Sequence, residues 1–426
     1  MQPIATSAVR ESSSQAWQIE LQCPQCGAPL VLEETDRMLS CSFCRVRLYL
    51  AREGQPRYYL APKEKLLDNA LYVPYWRFKG MSFSLDEHGV EERLVDSNLL
   101  ALRSPCFPFS LGVRPQVLKL KVITSGTAGK FLRPAFSFHD YQMNREHMPG
   151  YGERATGGRT RLSKAFVGEI VSLIYSPFLV KDEMLFDAIL NSPMPMCPEA
   201  PRDDLPVEPD AACKIKFIPM LCPSCGWDLE GEKNALVLLC RNCESAWQAV
   251  GDRLENLDFG FIGSSGDGSL NLPFWRIRAG VSGTDLKSYA DLARLANLPK
   301  PIQSRWEEQP LTFWVPAFKI QPQLFLKLAK TFTVSPPSRE PHQAIPRSPL
   351  HVVTLPLSEA VESVKVLIAS LAVQKESVLA KLSEAMVTPE ECSLIYFPFV
   401  RQGVEVIHPG MPMSISANAL KWGKLL

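Results

Sequence analysis

CPQCGAPLVLEETDRMLSCSFC (residues 23–44) returns 199 positions later as CPSCGWDLEGEKNALVLLCRNC (residues 222–243). Each copy holds two CxxC hooks: Cys23 with Cys26 and Cys41 with Cys44, then Cys222 with Cys225 and Cys240 with Cys243. The intervening residues, 27–40 and 226–239, suffice for a short hairpin that folds the second hook back onto the first. Four thiolates then meet around one metal ion. Pro24 and Gly27, like Pro223 and Gly226, suit the tight turn that such a hook needs.

The repeat extends beyond the cysteines. Pro74, Trp76 and Arg77 recur as Pro273, Trp275 and Arg276, again 199 positions on. Farther along, SLIYSPF (172–178) returns as SLIYFPF (393–399) at an offset of 221, and a Pro-Gln run at 115–116 is matched at 322–323 at an offset of 207. Two independent motifs at one offset imply an internal duplication whose second half carries insertions. The expected class is α+β, because strand and helix signals do not alternate in a βαβ rhythm. Each half is expected to be a four-cysteine ribbon followed by a mainly antiparallel α+β domain.

In chain order this predicts a flexible tail (1–17), ribbon 1 (18–50), an α+β domain (51–192), a Pro-rich linker (193–214), ribbon 2 (215–250) and a second α+β domain (251–426). A strand is expected over Tyr72 to Leu85, entered through Pro74, and a hairpin at the end of each half, the second turning at Gly403. Apolar spacing predicts helices over 285–298 and 358–386, the latter broken near Gln374.

Composition limits the functional classes. The chain has 426 residues, 46% hydrophobic and 21% charged, so it can bury sizeable cores. A net charge of +1 provides no global attraction to nucleic acid or anionic membrane. Of the 12 cysteines, eight sit in hooks, and Cys106, Cys197, Cys213 and Cys392 stand alone, which suggests metal binding in a reducing compartment. No secretory signal or membrane span is expected, since the longest strongly apolar run is only Val366 to Val373. A cytoplasmic, soluble protein is the expectation.

Catalytic signatures do not assemble. The six histidines are scattered, with no HExxH, and no GxSxG occurs. SGTAGKF (125–131) has the wrong glycine spacing for a phosphate loop, and GFIGSSGDG (260–268) precedes a strand and reads as a linker turn. An enzyme would need a deep pocket lined by charged residues of both halves.

The hooks resemble the zinc-ribbon superfamily in its CPxCG…CxxC form, over about 25 residues per copy. The remainder is loosely similar to uncharacterised bacterial zinc-ribbon proteins, some labelled as related to primosomal helicase N-prime. The resemblance implies two metal ions, zinc before iron, and contact with protein or nucleic acid through the ribbons. Closed four-thiolate sites imply a structural role. The expected function is a non-enzymatic zinc-binding scaffold or adaptor for protein partners whose identity is unknown.

The alternative is nucleic-acid binding through ribbon 1 and a basic loop carrying Arg145, Arg154, Arg159, Arg161 and Lys164, with Trp76, Arg77, Trp275 and Arg276 as stacking and phosphate contacts. Against this stands a core role for both tryptophans, their arginines snorkelling or pairing with carboxylates. The scaffold expectation predicts no salt-sensitive affinity for single- or double-stranded nucleic acid in a filter-binding titration. Affinity that falls steeply with salt, and that vanishes when Arg154, Arg159 and Arg161 are neutralised, supports the alternative.

Overall fold

The computed structural model describes residues 17–52, 54–63, 70–86, 89–112, 114, 118–138, 140, 161–181, 184–194, 206–208, 211–212, 215–263, 268–337, 339–373 and 375–424. Strands dominate. The first half contributes β1 (Gln18–Gln22), β2 (Pro29–Glu33), β3 (Met38–Ser40), β4 (Arg47–Arg52), β5 (Arg57–Leu60), β6 (Leu71–Asp86), β7 (Gly89–Leu100), β8 (Leu120–Val122), β9 (Lys130–Phe131), β10 (Arg161–Lys181), β11 (Met184–Asp187) and β12 (Ser192–Pro193). The second half contributes β13 (Ile215–Pro219), β14 (Val237–Cys240), β15 (Ser245–Val250), β16 (Arg253–Leu257), β17 (Phe259–Phe261), β18 (Ser269–Val281), β19 (Thr312–Pro316), β20 (Val387–Gln402), β21 (Glu405–Ile407) and β22 (Ser414–Ser416). Its helices are α1 (Tyr289–Leu295), α2 (Ser304–Glu308), α3 (Pro322–Val334), α4 (Leu357–Leu371), α5 (Lys375–Glu384) and α6 (Ala417–Gly423). The class is mixed α+β.

One pairing pattern occurs in both halves. The Pro-x-Trp-Arg strand runs antiparallel to the SLIY strand, with Trp76 opposite Leu173 in β6 and β10, and Trp275 opposite Leu394 in β18 and β20. Each SLIY strand also takes a parallel neighbour, β5 beside β10 and β17 beside β20. Each then turns back into a hairpin partner, β11 or β21, and Gly403 has the φ of +61° that its turn requires.

A proline inside a paired strand needs an explanation, because it cannot donate to the ladder. Pro74 accepts at its carbonyl from Ala101, so its missing N–H faces that same side. There β6 changes neighbours, from β9 at Leu71 and Tyr72 to β7 from Tyr75 onward. Pro273 sits at the same kind of changeover, between a bridge at Asn271 and β19 from Phe274, with Ala317 donating to its carbonyl. In both halves the proline costs no ladder hydrogen bond.

Alternation along β6 divides its side chains among three cores. Val73 and Tyr75 enter one, Tyr72, Trp76 and Phe78 the opposite one. Met81, Phe83 and Leu85 then join the large core of the second half, where the Phe83 ring lies 6.1 Å from that of Phe325. The halves are therefore packed into one another. At the seam β10 bulges between Val167 and Ile170, and Gly168, at φ +71°, donates its N–H to the Glu359 carboxylate on α4.

Several expectations are sharpened. The helix expected over 285–298 is the shorter α1, started by a capping box of Ser288 and Asp291. The one expected over 358–386 is α4 and α5, interrupted after Ala372. Of the matched Pro-Gln runs, the second opens helix α3 at Pro322, and the first, Pro115 and Gln116, lies outside the described residues. Trp17, assigned by sequence to a polar tail, is only 4% exposed. Cys106, expected to stand alone, is disulfide-bonded, with its partner outside the described residues. No helix among the described residues is long and apolar enough to cross a membrane.

His351 is buried against Phe318, its ring edge-on at 5.0 Å, and its Nε2 has no hydrogen-bond partner among the described residues. Burial, reinforced by the Lys424 charge, pulls its pKa down to about 3. A folded-state pKa below the ordinary value contributes stability above about pH 6.5 that is lost as pH falls toward 3. Urea denaturation is expected to show about 2 kcal/mol less stability at pH 5 than at pH 7, and His351→Phe to remove that component.

Candidate metal centres

Each ribbon folds its hooks by the same local device. Cys23 donates its N–H to the Ala28 carbonyl and accepts from Gly27, both at 2.8 Å, and Cys222 does the same with Trp227 and Gly226. The second hook of ribbon 1 repeats it, with Cys41 bonded to Val46 and Arg45. Closing this loop requires a left-handed residue after the hook. Gly27 and Gly226 supply it at φ +73°, and Arg45 and Glu244 adopt it at +61° and +49°.

The hooks bring four sulfurs together in each ribbon. Sγ separations are 3.7 Å for Cys23 to Cys44, 3.6 Å for Cys26 to Cys41, and 3.5 Å for both Cys222 to Cys243 and Cys225 to Cys240. All four sulfurs of each set lie within 4.8 Å of one another. A disulfide would require about 2.05 Å. A tetrahedral ion with bonds of about 2.3 Å spaces its sulfurs about 3.8 Å apart, so both sets fit a four-thiolate metal site. In each ribbon two cysteines are buried, Cys23 and Cys41 or Cys222 and Cys240.

The electrostatics favour partial thiolate character. The amide of Cys44, against opposing burial, holds the Cys41 thiol down at about 6. At Cys222 burial raises the pKa, but the amides of Cys225 and Ser224 prevail and bring it to about 6. Cys240 is pushed up to about 12, by burial first, so a metal-free cluster does not hold four negative charges together. A cation at the centre would reverse that.

The two ribbons touch. β13, which leads into ribbon 2, pairs antiparallel with β4 of ribbon 1 from Ile215 opposite Arg52 to Pro219 opposite Leu48. Arg37 and Met38 donate their N–H groups to the Lys233 carbonyl at 2.7 and 2.9 Å. A shared core joins Met38, Tyr49 and Ala51 to Met220, Leu238 and the ligand candidates Cys222 and Cys240.

The proposed nucleic-acid contacts are distributed differently. Arg145, Arg154 and Arg159 lie outside the described residues, as do the side chains of Arg161 and Lys164 in β10. Trp76 and Trp275 are 5% and 1% exposed, and their indole N–H groups donate to the carbonyls of Phe136 and Leu355. Their rings are taken up by the core, so no face is left for stacking a base. Arg77 is buried, stacked 3.9 Å over Trp17 and paired with Glu34 at 3.1 Å and with Asp96. Arg276, in the matching position, makes a half-exposed pair with Glu391 at 2.8 Å.

Sequence reading missed the partners. Glu34 and Trp17 flank β1 and β2 and are brought to Arg77 only by the fold. It also missed a cavity of about 50 Å³ where both ribbons and both halves meet, lined by Thr35, Arg37, Asn234, Lys319, Glu359 and Lys424. Burial draws the Lys319 ammonium there down to about 8. The cavity is charged and drawn from both halves, but it has room for a few waters rather than a substrate.

Arg77→Ala leaves the Glu34 carboxylate buried without its cation, and chemical denaturation is expected to show a loss of about 3–5 kcal/mol. Arg276→Ala is expected to cost under about 1 kcal/mol. Cys26→Ser is expected to abolish metal binding in ribbon 1, a site worth about 10 kcal/mol or more of folding free energy. Hydrogen exchange should then show lost protection at amides from Ile215 to Ile218, in the strand that pairs with that ribbon. Comparisons with family models, with curated proteins and with solved structures find no match to this chain.

Proposed function

We propose that the chain is a non-enzymatic scaffold whose two ribbons are folded by zinc and whose surface engages protein partners. The observation that carries this is the pair of closed four-thiolate clusters joined through β4 and β13. Four protein ligands leave no coordination position for substrate or water, so the ion acts as a staple. Zinc suits an all-thiolate tetrahedral set, has no redox chemistry and imposes no competing geometry.

The ribbon exteriors support protein contact. Phe43, between the cysteines of a hook, is 71% exposed, and Trp227, two residues past Cys225, is 61% exposed. Aromatic side chains held on rigid turns lose little entropy on binding and are common anchors of interfaces. The body behind them is a duplication on this reading. Shared Pro-x-Trp-Arg environments, equivalent Trp N–H to carbonyl bonds and equivalent strand registers support it.

Elemental analysis of the purified protein is expected to find two zinc per chain, and one or none sinks the proposal. Affinity capture with the native protein as bait should recover protein partners whose yield drops when Phe43 and Trp227 are both changed to Ser. Retention of nucleic acid instead would favour the alternative.

A further inference from the structure

The two metal centres are not equivalent at their sulfurs. Both receive backbone N–H groups, but ribbon 2 adds side-chain donors. Ser245 Oγ lies 3.0 Å from Cys243 Sγ and 3.7 Å from Cys222 Sγ. Trp247 Nε1 donates to the same Oγ at 2.8 Å. An indole nitrogen can only donate, so Oγ is the acceptor in that bond and its own proton is free to turn toward the sulfurs. In ribbon 1 the positions 199 residues earlier are Val46 and Leu48, neither of which has a side-chain proton to donate.

Resting on the proposed two-zinc reading, we infer that Ser245, oriented by Trp247, tunes ribbon 2 into a slowly exchanging metal site and leaves ribbon 1 as the exchangeable, electrophile-sensitive one. A metal-bound thiolate reacts through a sulfur lone pair. A hydroxyl proton already held on that sulfur withdraws charge from it and competes with an incoming electrophile or proton. Trp247 is buried, so the relay is held in place by the core that joins the ribbons. Ribbon 1 would therefore be the end at which a soft divalent cation enters or leaves, or at which an electrophile is met.

Exposure alone predicts the reverse order. Cys243 is exposed whereas Cys44 is intermediate, and Cys26 and Cys225 are both exposed. Limiting iodoacetamide on the zinc-loaded full chain separates the two. Alkylation forms a sulfur–carbon bond, expels iodide and frees the ion, while peptide mass mapping reports which cysteine reacted. A chromophoric chelator reports zinc release in parallel. The expected result is two release phases of one zinc each, with Cys44 alkylated faster than Cys243. Ser245→Ala should speed the slow phase and Cys243 alkylation by about tenfold, without changing the fast phase. Trp247→Phe should give a smaller acceleration, and Ser245→Thr should keep the parent rates.

Two zinc bound together with Cys243 reacting faster than Cys44, or with Ser245→Ala leaving both phases unchanged, overturns the relay. Fewer than two zinc in the parent protein overturns the two-zinc reading instead. Should Ser245→Ala misfold, cobalt-loaded Trp247→Phe still decides. A red shift of the sulfur-to-cobalt absorption supports the relay, and an unchanged band overturns it.

Discussion

Four thiol groups crowded within 4.8 Å set the terms for each ribbon. Two unit charges about 3.6 Å apart repel by roughly 5 kcal/mol at an effective dielectric of 20, so four thiolates cannot coexist without a cation among them. The protein supplies only partial relief through backbone amides, holding Cys41 and Cys222 near 6 and leaving Cys240 near 12. Much of the surrounding structure depends on this centre being closed. The hooks position β3 and β4 in ribbon 1 and β14 and β15 in ribbon 2, and β4 in turn carries β13.

That dependence makes the ribbons part of the body. Cys222 and Cys240 share a core with Met38 and Tyr49 of the other ribbon, and Glu34, at the end of the β1–β2 hairpin, is buried against Arg77 of β6. A change at either four-cysteine cluster would therefore act directly on packed elements of the body. The equivalent arginine of the second half, Arg276, lacks such a buried partner and lies nearer the surface. Sequence similarity between the halves thus coexists with different energetics at matched positions.

The same divergence separates the two centres. Ser245 and Trp247 add a hydroxyl and an indole N–H beside the second, where Val46 and Leu48 present only hydrocarbon beside the first. Ligand sets of identical composition can differ in reactivity through what touches the sulfurs. The exposed Phe43 and Trp227 likewise occupy non-equivalent positions, so the ribbons present different surfaces to a partner.

The chain by itself determined the features whose physics is local. CxxC spacing names the eight ligand candidates, Gly27 and Gly226 announce left-handed turns, and the common offset of 199 marks Trp76 and Trp275 as matched positions. Periodicity located α1, α4 and α5 to within a turn, but not the helix at Pro322. Only tertiary structure decided what depends on distant partners. Arg77 could have faced phosphate or a carboxylate until Glu34, 43 residues away in the chain, was brought to its Nη2. The pairing of β4 with β13, which turns two ribbons into one unit, joins backbone groups that carry no sequence signature. Hydrogen bonding between strands is a property of approach, and approach is set by the packing of the whole.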